Sequence, residues 1–354
     1  MTRVIDNETR LAEALPRLRS SDWIALDTEA DSLHAYPEKV CLVQVSLEGA
    51  DELIDPLRLH DLTSFWEALR GRELILHGAD YDLRLLHRSF GFVPDRVFDT
   101  MLAARLLGYT QFGLTHLVAR HLGITLEKGP QTMNWARRPL TDRMLAYARN
   151  DTRYLKPLAD LLQAGLQEKG RLGWQREICQ RLIAECAQLR EQDPDTVWRV
   201  KGSDRLDRNA LAVLRELWRW REREAVKANK PPYFILSHEA LVALAGAASK
   251  SKPLEPLMPR FLQSHRKSHL LAAIARGLAV PGEKKPHIPR RTHYRTSEAE
   301  QNRFNELKKR RDRRAAELEI DATLIASRAT LLALAQDKNA SERELMSWQR
   351  DLLR

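Results

Sequence analysis

The chain is poor in cysteine. Its three thiols, Cys41, Cys179 and Cys186, are odd in number, widely spaced and without a Cys-x-x-Cys pair. Neither a disulfide framework nor a zinc site is indicated, and reduced, mostly buried thiols are expected. No run approaches the roughly 18 apolar residues of a membrane span, and the polar segment from Met1 to Leu11 lacks the apolar stretch of a secretory leader. A cytoplasmic protein with no membrane contact is expected. No convincing nucleophile triad or nucleophile elbow stands out, so chemistry by an activated serine or cysteine is not indicated. Low-complexity tracts and short-period repeats are also absent, although two consecutive small helical modules invite comparison with each other.

What is present is enough for a large core. With 354 residues, 43% of them hydrophobic and 30% charged, the chain should form two or three globular domains. Its formal net charge of +10 fits a polyanionic partner, though solubility alone would also be served by it.

Residues 22–27 read as a strand, followed by strands at 40–46 and 52–55, close enough together for an antiparallel meander. Helical periodicity over 61–69, an apolar strand at 73–77 and a helix over 81–90 come next, the last with Leu83, Leu85 and Leu86 on its buried side. A short segment ends at Phe98-Asp99-Thr100, helices run through Leu107 and over 114–121, and a long helical stretch starts at Thr141, a plausible N-cap. The fold class this order predicts is α/β: a mixed sheet with helices on its faces over residues 1–190. From Leu206 to Leu278 the pattern is all helical, with Leu211, Leu214, Leu217 and Trp218 spaced for one buried face. Residues 281–296, with Lys284, Lys285, Arg290, Arg291 and Arg295, read as an exposed basic linker, and a last helical module runs over 297–354.

Candidate chemistry sits in three short segments. Asp27 and Glu29 lie two apart on a strand, so their carboxylates share a face and could share a cation. Asp82 follows an apolar strand, in the first turn of the next helix, where Asp80 competes with it: either could cap the helix while the other reaches a metal. Tyr147 and Asp151 are four apart on a helix and project from one face. Other residues carry less. His77 reads as a packed, hydrogen-bonded histidine rather than a ligand, because sites of this kind favour oxygen donors. Asp99 reads as an N-cap for the helix from Thr100, or as a fifth acid. Arg137 and Arg138 fit a phosphate contact or a charged loop flank equally, and a buried helix face accounts for at least one of Trp218 and Trp220.

Taken in order, these segments resemble the DEDD-type 3′-to-5′ exonucleases of the tyrosine subclass, specifically the ribonuclease D family. Further stretches like that family are Tyr36-Pro-Glu-Lys-Val-Cys-Leu-Val-Gln44 and Trp135-Ala-Arg-Arg-Pro-Leu140. The resemblance implies a ribonuclease H-like mixed sheet and a site in which Asp27, Glu29, Asp82 and Asp151 hold two divalent metal ions, Mg²⁺ or Mn²⁺. Tyr147 would orient the attacking water, and no organic cofactor is implied. It further implies release of nucleoside 5′-monophosphates from RNA 3′ ends, 3′-extended tRNA precursors above all. Residues 205–280 resemble the HRDC domain, a nucleic-acid-binding module, and 297–354 a second, more divergent copy. A DNA-directed exonuclease of the same fold and a non-catalytic RNA-binding scaffold are the competing readings.

Overall fold

Short runs of aliphatic residues, too brief for stable helices, build the centre of the fold. The computed structural model describes residues 3–127, 129, 132–188, 193–260, 262–287, 296–337 and 342–354. Arg3–Ile5 (β1) and Glu8–Ser20 (α1) precede the expected strands, and neither announced itself in the hydrophobic pattern. Ile24–Ala30 (β2), Val40–Leu47 (β3) and Ala50–Ile54 (β4) form the antiparallel meander. After Thr63–Leu69 (α2), Glu73–Leu76 (β5) pairs in parallel with β2; after Asp80–Phe90 (α3), Arg96–Asp99 (β6) pairs in parallel with β5. The sheet order is β1-β4-β3-β2-β5-β6. Every residue of β3 is buried, as a strand covered by helices on both faces requires.

Thr100–Leu106 (α4), Leu114–Leu122 (α5), Asp142–Arg153 (α6), Leu155–Glu168 (α7) and Leu172–Cys186 (α8) follow. The long helical stretch expected from Thr141 is thus three helices, of which Thr141 caps the first by accepting from the Met144 amide at 3.3 Å. No described helix is long and apolar enough to cross a membrane. All three cysteines are free and buried.

The chain divides into two compact units. One comprises Met1–Ala30, Val40–Leu189 and Tyr294–Arg354; the other comprises Asp31–Lys39 and Arg190–His293. The second unit is built from Arg208–Ala228 (α9), Pro232–Ile235 (α10), His238–Ala248 (α11) and Ser264–Leu278 (α12). Leu211, Leu214 and Leu217 are buried as their spacing predicts, but Trp220, not Trp218, is the tryptophan of α9 that reaches full burial. The loop after β2 belongs to this helical unit. There the Tyr36 hydroxyl donates to the Glu222 carboxylate at 2.5 Å, and the Tyr36 amide donates to the Asn229 side chain at 3.3 Å. The Tyr233 hydroxyl also reaches the Leu33 carbonyl at 3.3 Å. Lys285 of the basic linker donates to Asn209 at 2.8 Å, whereas Arg290, Arg291 and Arg295 lie outside the described residues.

Residues 297–354 were expected as a separate module, yet they share a core with the sheet unit. Glu298–Leu318 (α13), Ala322–Ile325 (α14), Arg328–Gln336 (α15) and Ser347–Leu353 (α16) bury Phe304, Ile325, Leu331 and Trp348 in one cluster with Leu106, Leu117 and Leu162. The reason is that α13 is mostly charged and has few apolar positions of its own to close a core. Trp348 stacks on Trp174 at 4.7 Å between ring centroids, and the buried Arg171 guanidinium donates to the carbonyls of Leu106 (2.7 Å) and Leu318 (2.8 Å). At Gly108, φ +91°, a Cβ would fall 2.2 Å from the Glu319 carbonyl oxygen.

The two helical modules repeat each other at one constant offset. Both open with a 21-residue helix, α9 or α13, that ends on a left-handed residue, Asn229 (φ 45°) or Glu319 (φ 53°). A four-residue helix and a serine N-cap follow, Ser237 or Ser327. Arg221 donates to the Leu236 carbonyl and Arg311 to the Ala326 carbonyl, and each also pairs with the acid next to it, Glu222 or Asp312.

Because 297–354 completes the sheet unit's core, Trp348→Ala should destabilise that unit by about 3 kcal/mol. In urea unfolding followed by circular dichroism, the transition of the sheet unit should move to lower urea. An unchanged sheet-unit transition, with loss confined to a separate minor phase, would show that 297–354 stands alone.

Candidate active site

Strand β2 is longer than its parallel neighbour. Its pairing with β5 covers only Ile24 and Ala25, opposite Leu74 and Ile75, and β5 ends at Leu76. The far half of β2, which carries Asp27 and Glu29, therefore runs past the end of β5 into the place where the chain turns into α3. Gly78 makes that turn with φ +74°. Asp99, the N-cap of α4, fixes it by accepting from the amides of Gly78 (3.1 Å) and Ala79 (2.8 Å) as well as from Met101 and Leu102. Asp99 is thus a structural cap and not a fifth acid of the cluster.

Asp80 and Asp82 separate cleanly. Asp80 is exposed and pairs with Arg84 at 2.9 Å, while Asp82 is 6% exposed and accepts from the Thr28 hydroxyl at 2.5 Å. Neither caps α3, whose N-cap, Ala79, makes no side-chain hydrogen bond.

Helix α6 brings the remaining groups. It packs against β3, where the Thr152 and Ser46 hydroxyls meet at 2.8 Å, and it carries Tyr147 and Asp151. One carboxylate oxygen each from Asp27, Glu29 and Asp151 lie within 4.8 Å of one another. Asp82 stands outside that group of three but close enough for its charge to act on both Asp27 and Glu29. Tyr147 hydrogen-bonds the Asp151 carboxylate, and its ring lies 6.1 Å from that of the buried Trp135. Gly129 is so close to the Tyr147 ring that a Cβ there would fall 1.6 Å from it. Arg138 holds the Trp135 loop in place: it donates twice to Asp55 (2.5 and 2.7 Å), and to the carbonyls of Trp135 and Cys41. Its task is structural rather than phosphate contact.

Burial makes the acids weak, and repulsion within the cluster adds to it at Asp27 and Glu29. Desolvation is the largest influence on each. Asp27 is raised well above the carboxylate range by burial and then by Asp82, Asp151 and Glu29. Glu29 is raised to about 8 and Asp151 to about 7, while Asp82, eased by its bonds from Thr28, is raised to about 6. Such a set cannot ionise fully by itself at neutral pH. It fits divalent cations, since its donors are all hard carboxylate oxygens with no thiolate among them.

The cluster opens on a cavity of about 660 Å³ lined also by His77, Asn150, Glu127 and the first turn of α5, Gly113 to His116. Apart from His77, these wall residues escaped the sequence reading because they come from loops and helix ends whose convergence no local spacing encodes. His77 is hydrogen-bonded, its Nδ1 lying 2.9 Å from the Thr100 hydroxyl, and burial lowers its pKa despite the nearby Asp99 charge.

Comparisons with known proteins agree with this geometry. Residues 2–167 match the family described as 3′-5′ exonuclease, and residues 210–252 match the HRDC domain. A ribonuclease D from Pseudomonas paraeruginosa is 34% identical over 290 residues, covering 80% of this chain and 76% of its own length. One from a Jannaschia species is 31% identical over 301 residues, covering 81% and 77%. The crystal structure of Escherichia coli RNase D, described as an exoribonuclease involved in structured RNA processing, superposes with a TM-score of 0.75 at 25% identity, over 98% of this chain and 92% of that one. The chain therefore belongs to the ribonuclease D family and is a 3′-to-5′ exoribonuclease.

Proposed function

We propose that the site formed by Asp27, Glu29, Asp82, Tyr147 and Asp151 removes nucleoside 5′-monophosphates one at a time from RNA 3′ ends, chiefly in the 3′ maturation of tRNA precursors and other structured RNAs in the cytoplasm. The observation that carries this reading is the meeting of three acids remote in sequence, within 4.8 Å, beside a tyrosine bonded to one of them. Asp27, Glu29 and Asp151, with Asp82 beside them, would hold two divalent cations, Mg²⁺ or Mn²⁺. Such ions supply charge neutralisation at a phosphodiester and acidify water.

The chain's own residues do the rest. Tyr147 is fixed by Trp135, by Gly129 and by its bond to Asp151, so its hydroxyl is held ready to orient the attacking water. Water attacks phosphorus, the 3′ oxygen of the penultimate nucleotide departs, and the strand is left with a new 3′ hydroxyl. Asp82 stays anchored to Thr28 and keeps negative charge beside the pair formed by Asp27 and Glu29. The HRDC match at 210–252 supports RNA binding by the first helical module, and its repeat at 297–354 supports a second, divergent HRDC copy packed on the nuclease core. The description of the E. coli relative supports structured RNA as the substrate class.

Digestion of a 3′-extended tRNA precursor with Mg²⁺ tests the reading. Wild type should shorten the RNA from its 3′ end; Asp27→Asn should lose activity almost completely, and Tyr147→Phe should lose roughly 10²-fold, the size of one positioned proton or water contact. Undiminished shortening by Asp27→Asn would remove this site from the reaction.

Stability links the acids to metal and pH. Each raised carboxyl keeps a proton in the folded state that the unfolded chain releases near pH 4, so the native state binds more protons between that pH and about 6 to 8. Metal-free protein should therefore lose stability as pH rises through this window. Mg²⁺ has to displace those protons, so the stabilisation it gives should grow over the same range. At about 100 times its Kd it should add about 2.7 kcal/mol. Thermal melts in EDTA and in Mg²⁺ at pH 5.5 and 8.5 measure this. A Mg²⁺ shift that is equal at both pH values, or intact in Asp27→Asn, would contradict it.

A further inference from the structure

His77 stands in the wall of the cavity that holds Asp27, Tyr147 and Asp151, and none of the steps above uses it. Its tautomer can be deduced. The Thr100 hydroxyl has a single proton and lies 3.0 Å from the Leu76 carbonyl, which can only accept, and 2.9 Å from His77 Nδ1. Giving that proton to Leu76 and letting His77 donate from Nδ1 satisfies both contacts. The reverse assignment would leave two oxygens facing each other with no proton between them. His77 therefore carries its proton on Nδ1, and Nε2 is a bare acceptor. Burial, which disfavours the imidazolium, acts in the same direction.

The arrangement is rigid. Thr100 is fully buried and follows Asp99, whose carboxylate caps α4 and also binds the amides of Gly78 and Ala79 directly after His77. One side chain thus fixes both halves of the contact. Nε2 has no hydrogen-bond partner among the described residues, and it is not among the polar atoms sealed inside the protein. The residue that carries it lines the cavity that a bound strand would enter. Nε2 is also absent from the group of carboxylate oxygens close enough to share a cation.

A lone acceptor in this position selects its partner by chemistry. Phosphate oxygens are acceptors too and would be repelled. Base edges offer donors that differ from one nucleotide to the next. The donors common to every RNA 3′ end are the ribose hydroxyls of the terminal nucleotide, one sugar away from the scissile phosphate at Asp27. We propose that His77 is a specificity-determining residue whose Nε2 accepts a hydrogen bond from a ribose hydroxyl of the 3′-terminal nucleotide, with Thr100 as the positioning residue that holds the required tautomer. This rests on the exonuclease reading of the site given above.

The test uses full-length protein with Mg²⁺ and one single-stranded RNA sequence made with three 3′ ends: an ordinary ribonucleotide, a 2′-deoxynucleotide and a 3′-deoxynucleotide. Single-turnover removal of the last nucleotide is followed for wild type, His77→Leu, His77→Gln and Thr100→Val. Wild type should remove the ribonucleotide about tenfold faster than at least one of the deoxy ends, and which one identifies the hydroxyl. His77→Leu should bring that ratio close to one. His77→Gln, which can still offer an acceptor, should restore part of it, and Thr100→Val should lower it by loosening the tautomer. A preference absent in wild type, or rates that fall equally on all three ends in His77→Leu, would overturn the proposal. Were His77→Leu not to fold, the wild-type ratio and Thr100→Val decide by the same criteria. Failure of wild type to shorten any of the three RNAs would instead refute the exonuclease reading, and this proposal with it.

Discussion

Like charges must be kept together for this molecule to have a site at all. Four carboxyl groups are confined in a partly dry pocket where burial raises the proton affinity of each, and neighbouring charges raise that of Asp27 and Glu29 further, Glu29 reaching about 8. Nothing in their own chemistry would assemble them; the surrounding packing has to. Strand β2 is clamped between β3 and β5 at its apolar end, Ile24 to Leu26, where every side chain is buried, and only beyond that does it carry acids. Helix α6 is fixed by a serine–threonine contact and by the apolar burial of Met144 and Ala148. Without cations the confined groups hold protons, and a divalent ion that takes the place of those protons offsets the cost of ionising them together, which is how a fold turns unfavourable proximity into affinity.

Much of this was legible in the sequence, and the parts that were not share a cause. The meander, the parallel continuation and the helix from Thr141 follow from periodicity and capping chemistry, which act within a few residues. Asp27 with Glu29, and Tyr147 with Asp151, are local pairs and could be seen as such. The choice between Asp80 and Asp82 could not be made from spacing, because it depends on Thr28, more than fifty positions away, donating to one and not the other. For the same reason spacing left Arg138 open between a phosphate contact and a charged loop flank: its partner, Asp55, is remote in the chain. Strand β1 is three residues long and pairs at a sheet edge, too brief to leave a periodic signal.

The two helical modules show how one local pattern can meet different ends. Caps, a four-residue turn of helix and an arginine bonded to a carbonyl recur at matching positions, so the local instructions are the same. What differs is the exposed apolar surface. The first module closes its own core around Leu211, Leu214 and Trp220, whereas the second spends Phe304, Ile325 and Trp348 on the sheet unit's helices. Periodicity marks the module in both cases and leaves its allegiance open, since that is decided by side chains on another element.

The loop Asp31–Lys39 leaves β2 two residues after Glu29 and belongs to the helical unit, bonded through Tyr36 to Glu222 and Asn229 and through Leu33 to Tyr233. The covalent boundary near residue 190 is therefore not the physical one. A shortened gene ending there would encode the sheet but strand nine of its residues without the side chains they grew up against. Recombination that exchanged helical modules between relatives would face the same restriction, since the incoming module would have to recognise a hairpin it never brought with it. In this chain the helical unit is tied to that nine-residue loop, which continues directly from the strand that carries the acids.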